Sequence, residues 1–141
     1  MIIYTIGFTQ LSAEMFFTKL KENEVEVLVD IRLNNTSQLA GFSKGDDLKY
    51  FLKELCSIRY SHEVLFAPTK QILDDYKKKK ISWENYVDRY IELIQKRDFY
   101  KTFREKYSNY SRVCFLCSEP VANMCHRRLL AEEIRKVDPA I

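Results

Sequence analysis

Three short apolar runs set the limits on what this chain can become: Ile2 to Ile6, Val25 to Ile31, and Arg112 to Cys117. The first two, rich in β-branched residues and with little polar alternation, have the pattern of strands covered on both faces, which is the habit of a parallel sheet. Parallel strands require crossovers, and the sequence between the first two runs supplies one. Ser12 is placed to cap a helix whose Met15, Phe16 and Leu20 recur at helical spacing. Strand, helix and strand within about 30 residues predict a βαβ unit with parallel neighbours and a right-handed crossover.

The rest of the chain extends the same scheme. A polar stretch of turn formers, LNNTSQLAGFSKG, follows Asp30-Ile31-Arg32 and reads as a long loop, a feature often functional when it has no regular structure of its own. Asp46 to Cys56 predicts a helix with Leu48, Phe51, Leu52 and Leu55 on one face, and Ile58 to Tyr60 begins a short third strand. Helices are expected over Thr69 to Lys80, Ser82 to Lys96 and Asp98 to Tyr107. In the second of these, Tyr86, Tyr90, Leu93 and Ile94 form an apolar stripe that reads as core. Arg112 to Cys117 is the last strand and Cys125 to Lys136 the last helix, with Leu129, Leu130 and Ile134 facing inward. The expected fold is therefore α/β, a single domain over residues 1–141 with a mainly parallel central sheet of about four strands flanked by helices.

Composition agrees with one domain. The 141 residues are 46% hydrophobic, and only three glycines and three prolines occur, so no low-complexity linker separates two units. A formal net charge of +3 does not demand a polyanionic partner. The run Lys77 to Lys80 ends a helical segment, where cations complement the helix dipole. No stretch approaches the roughly 20 apolar residues of a membrane span, so no membrane partner is expected. MIIYTIGF lacks the basic region and long apolar region of a signal peptide. A cytoplasmic location is expected, with Cys56, Cys114, Cys117 and Cys125 held as reduced thiols.

In open parallel sheets, ligands bind beyond the carboxyl ends of the strands. Three groups of residues fall there: Thr5 to Phe8, Asp30 with Arg32, and the segment CSEPVANMCHRR from Cys117 to Arg128. That last segment is the chemically dense one. Cys114 and Cys117 should point to opposite faces of a strand, and adjacent Cys125 and His126 do not easily converge, so no metal site and no cofactor are expected. Nor does a phosphatase-like loop fit, because six positions beyond Cys117 and Cys125 stand Asn123 and Ala131 where an arginine would be needed. Cys125 at a helix N-terminus, close to His126, Arg127 and Arg128, is a candidate nucleophile because the dipole and the cations favour a thiolate. Arg127 or Arg128 with free helix N–H groups would suit a phosphate or carboxylate. Equally physical is a structural role, with Glu119 paired to Arg32 or Arg127 and the two cysteines packed as small buried residues.

Several of these segments together resemble the family known as domain of unknown function 488. The resemblance rests on Leu116-Cys117-Ser118-Glu119 followed by Cys125-His126-Arg127, on Leu129-Leu130-Ala131-Glu132, on Thr5-Ile6-Gly7, and on Val29-Asp30-Ile31-Arg32 with Ser37 in the loop. Tyr60 and the segment from Trp83 to Tyr90 are similar too. The resemblance implies an α/β domain with a polar cleft built from these motifs and supplies no reaction. The chain departs from the family pattern at Phe8, where histidine is frequent, at Asn35, where proline is usual, and at Phe66-Ala67, where a glycine pair is expected. His62 and His126 are then its only imidazoles.

Three functions follow. The first is a site that binds or acts on a small anionic, phosphorylated or nucleotide-like ligand. Cys117 or Cys125 is the nucleophile, Glu119 or His126 moves the proton, and Arg32 with Arg127 clamps the anion, aided by Thr5, Gly7, Asp30 and Ser37. The second is nucleic-acid binding through Lys77 to Lys80, Arg104, Lys106 and Arg112 with exposed tyrosines. The third is a non-catalytic interaction module whose motif residues lock a strand-to-helix turn. The oligomeric state and the strand order stay open in the sequence.

Overall fold

A computed structural model describes residues 1–36, 41–118 and 123–141 of the chain. Its order is β1 (Ile2–Gly7), α1 (Ala13–Glu22), β2 (Val27–Asp30), α2 (Gly45–Phe51), β3 (Arg59–His62), α3 (Lys70–Lys77), α4 (Trp83–Lys96), α5 (Phe99–Tyr107), β4 (Arg112–Cys117) and α6 (His126–Val137). The protein is an α/β domain with a four-stranded, all-parallel sheet of order β1-β4-β2-β3. Helix starts follow local chemistry: the hydroxyls of Ser12, Thr69 and Ser82 each accept the N–H three residues on, from Met15, Ile72 and Asn85.

The strand order corrects one expectation. β1 and β2 are parallel but are not neighbours, because β4 enters between them and pairs with both. The last strand is thus central, and five of its six residues are buried, whereas β1 is an edge strand whose burial is complete only at Ile6 and Gly7. Apolar content alone does not reveal which apolar strand lies innermost.

Each face of the sheet carries its own core. On one face Phe16, Phe17, Leu20, Leu48 and Leu52 cover Ile6, Leu28, Cys114 and Leu116. On the other, helical residues including Tyr90, Ile94, Phe103, Leu130 and Ile134 cover Val27, Val29, Val113, Phe115 and Cys117. Two predicted core positions face outward: Met15 is 51% exposed and Leu55 55% exposed. Phe17 fills the site on α1 that Met15 does not. At Leu55 the α2 helix widens into a π turn, Leu52–Cys56, whose longer i→i+5 spacing carries the side chain off the buried stripe.

Candidate functional site

The sheet register places the three motif groups side by side. Gly7 pairs with Cys117 and Asp30 with Leu116, so the ends of β1, β4 and β2 form one row. The backbone continues the row beyond the strands, since Ile31 N–H donates to the Leu116 carbonyl at 3.0 Å and Thr9 Oγ1 donates to the Ser118 carbonyl at 2.6 Å.

On the β2 side the row ends in a buried polar knot. Asp30 is fully buried and Arg32 is 4% exposed. The Arg32 guanidinium grips both carboxylate oxygens, Nε to Oδ1 at 2.8 Å and Nη2 to Oδ2 at 2.6 Å, and Nη2 also donates to the Ser43 carbonyl at 2.7 Å. Tyr60 donates its hydroxyl to Asp30 Oδ2 at 2.6 Å and accepts from Asn35 Nδ2 at 3.0 Å. Burial, together with the Asp30 charge, pushes the Tyr60 phenol well above its ordinary range. Two histidines pin the same loop through carbonyls: His62 Nε2 donates to Arg32 and His126 Nε2 to Ile31, both at 2.8 Å. Arg32 lies over the Phe8 ring, 5.1 Å from its centroid, and Phe8 is fully buried. The departures noted in the sequence therefore have definite places: Phe8 stacks on the arginine, Asn35 supports Tyr60, and Phe66 is core.

On the β4 side the chain re-enters a helix at Cys125, which is the N-cap of α6 in an extended conformation, φ −137° and ψ 141°. Although that backbone is extended, the side chains of adjacent Cys125 and His126 do converge, with Sγ and Nδ1 3.9 Å apart. This overturns the geometric premise that kept them apart. Cys114 does point to the opposite face from Cys117, among the side chains under α1. Cys117 and Cys125 face each other across the turn with their sulfurs at bonding distance, although their Cα atoms, 7.7 Å apart, stand wider than in most disulfides. Arg127, 2% exposed, points Nη1 at both sulfurs, 2.9 Å from Cys117 Sγ and 3.9 Å from Cys125 Sγ. Burial is the main cause that lowers the His126 pKa to about 4, with Arg127 acting in the same direction, so the imidazole is neutral near pH 7.

A cavity of about 390 Å³ runs along β1, lined by residues that include Thr5, Gly7, Thr9, Gln10, Lys19 and Arg127. Thr5, Gly7 and Arg127 were anticipated; Lys19 and Gln10 carry no signal in the sequence beyond their helical and turn positions. Among its described lining residues are two cations, Lys19 and Arg127, and no carboxylate. Arg127 thus joins the cavity to the cysteine pair. Arg32 and Asp30 are bound to each other and do not line this cavity.

A family model described as domain of unknown function DUF488 matches residues 12–134. The chain belongs to that family. Comparison with curated proteins and with solved structures finds no match. The DUF488 match spans Asp30, Arg32, Tyr60 and the Cys117–Arg127 segment, while Thr5 and Gly7 precede it. Ser37 and Glu119 lie outside the described residues. The basic residues considered for nucleic acid sit on separate elements: Lys77 to Lys80 at the end of α3, Arg104 and Lys106 on α5, and Arg112 at the start of β4. Lys106 pairs with Glu63 and Arg112 with Glu24. No helix among the described residues is long and apolar enough to cross a membrane.

Proposed function

We propose that this DUF488 protein binds a small phosphorylated or nucleotide-like anion in the cavity along β1. The observation that carries the reading is that the Lys19 ammonium and the Arg127 guanidinium line one cavity. The volume supports it, since about 390 Å³ falls within the range of small-molecule sites. Arg127 is buried and in the first turn of α6, where a planar guanidinium and the positive end of the helix dipole both favour an anion. Thr5 and Gln10 supply polar groups to orient it, and Gly7 lets the backbone approach. Arg32 contributes indirectly, by holding the β2 end of the row in place through Asp30. While Cys117 and Cys125 are bonded to each other neither sulfur is a nucleophile, so the reading is one of binding, and a Cys/His/Glu reaction belongs to the reduced protein.

The test is titration of the full chain with inorganic phosphate and with nucleoside monophosphates, by calorimetry and thermal melting at constant ionic strength. A ligand at a hundred times its Kd should stabilise the fold by about 2.7 kcal/mol. Lys19→Gln alters an exposed helix position and should weaken binding roughly fivefold, the equivalent of about 1 kcal/mol. Absence of a shift at millimolar ligand, or a shift that Lys19→Gln leaves unchanged, would refute the cavity as the site. Salt-dependent binding of an oligonucleotide with no response to mononucleotides would also refute it, and would favour the basic surface.

A further inference from the structure

We propose that Cys117, Cys125 and His126, in the dithiol form of the protein, make a three-ligand site for a tetrahedral divalent metal ion of the zinc type. The donor atoms of the three side chains lie within 4.8 Å of one another and all three residues are buried. Two thiolates and one imidazole are the donor set that zinc prefers, and three protein ligands leave a fourth position for water or substrate.

The orientation of His126 is the second observation. Its Nε2 faces the Ile31 carbonyl at 2.8 Å and must carry the proton, which leaves the lone pair on Nδ1, turned toward Cys125. A metal-bound histidine ordinarily has this arrangement, with the distal N–H tied to a carbonyl so that the ring cannot rotate. Zinc bonds of about 2.3 Å to sulfur and 2.0 Å to nitrogen, at tetrahedral angles, place the ligand S and N atoms roughly 3.5 Å apart. The observed Sγ to Nδ1 distance of 3.9 Å needs only a small adjustment.

The backbone provides the third. The Cα atoms of Cys117 and Cys125 are 7.7 Å apart, wider than the roughly 4.4–6.8 Å of most disulfides. Two sulfurs separated by a shared ion would fill that wider span. Charge also balances: two thiolates offset a divalent ion, a neutral imidazole adds nothing, and Arg127 Nη1, 2.9 Å from Cys117 Sγ, is a hydrogen-bond donor to a metal-bound thiolate. Binding releases the two thiol protons and involves no change of oxidation state. Because Arg127 also lines the β1 cavity, an ion here would sit beside the space assigned to the anion. The metal site does not depend on that assignment.

The experiment starts from the full chain reduced with a phosphine, freed of metal with a chelator, and titrated with Co²⁺ and with Zn²⁺. One tetrahedral Co²⁺ per chain is expected, seen as intense visible d–d bands with thiolate charge transfer, and displaced by one equivalent of Zn²⁺. Cys117→Ser, Cys125→Ser and His126→Gln should each weaken Zn²⁺ binding at least tenfold, while Cys114→Ser leaves it unchanged. Should a variant fail to fold, alkylation of the wild-type chain decides: bound Zn²⁺ should protect Cys117 and Cys125 and leave Cys56 open to reagent. Weak octahedral cobalt, less than one-tenth of an equivalent of zinc, or equal alkylation with and without zinc would each overturn the proposal. Phosphate titration of the metal-free protein reads the cavity separately, so failure of either reading is distinguishable.

Discussion

Replacing Arg32 by methionine should be the most damaging single change near the site, although Arg32 lines no part of the cavity. The Asp30 carboxylate accepts four hydrogen bonds: from Arg32 N–H, Nε and Nη2, and from the Tyr60 hydroxyl. Arg32→Met removes two of them together with the compensating charge, and breaks the bond from Arg32 Nη2 to the Ser43 carbonyl. Asp30 is then a buried, uncompensated anion, a change that costs about 3–5 kcal/mol. For a domain of this size that lowers Tm by roughly 10–15 °C. Tyr60→Phe removes one bond to the same carboxylate and should cost about 1.5–3 kcal/mol. The double variant Asp30→Leu, Arg32→Met restores neutrality and should be more stable than Arg32→Met alone, because no lone charge remains. Urea unfolding followed by circular dichroism measures all four proteins at fixed pH. A loss under about 1 kcal/mol for Arg32→Met with an unchanged m-value, or simple additivity in the double variant, would refute the argument that this pair is a closed structural lock.

Further predictions concern the elements around the lock. Tyr90 is fully buried and donates to the Phe66 carbonyl at 2.7 Å, so Tyr90→Phe strands a buried acceptor and should cost about 1–3 kcal/mol in the same assay. A Cβ on Gly45 would overlap Asn35 Nδ2 and stand 2.9 Å from its Cγ, displacing the amide from Tyr60. Gly45→Ala should therefore cost about 1 kcal/mol in the native chain and much less in an Asn35→Ala background. In alkali the fold should weaken above pH 10. Burial raises the Tyr107 pKa to about 12 and pushes the Tyr60 and Tyr90 phenols well above their ordinary range. Unfolded tyrosines lose their protons near pH 10 while the native ones keep them, so stability is full below pH 10. It falls as pH rises, by up to about 1.4 kcal/mol per pH unit for each tyrosine. Phenolate absorbance that rises smoothly near pH 10 while the native fold persists would contradict this.

What could be read from the sequence was local. Strand runs, helix spans and the capping hydroxyls of Ser12, Thr69 and Ser82 depend on neighbours within one turn or one pleat, and they emerged close to their observed bounds. So did the α/β class and the carboxyl-edge location of Thr5, Gly7, Asp30, Arg32 and Cys117. Met15 and Leu55 were misassigned because helical period fixes the spacing of a stripe but not its exact rotation, and because the π turn after Phe51 has no marker in sequence.

Tertiary structure decided the rest, for reasons of distance along the chain. The central place of β4 depends on pairing with residues more than eighty positions away, and only that insertion sets Gly7 beside Cys117 and brings Ile31 against Leu116. Asp30 and Arg32 are two residues apart, yet their commitment to each other is completed by Tyr60 and Ser43 from other segments. Convergence of Cys117, Cys125 and His126 likewise required the packing of α6 against β4 and the carbonyl of Ile31, ninety-five residues from His126. Residue types announced the chemistry available to this chain, and long-range packing determined which of those residues meet.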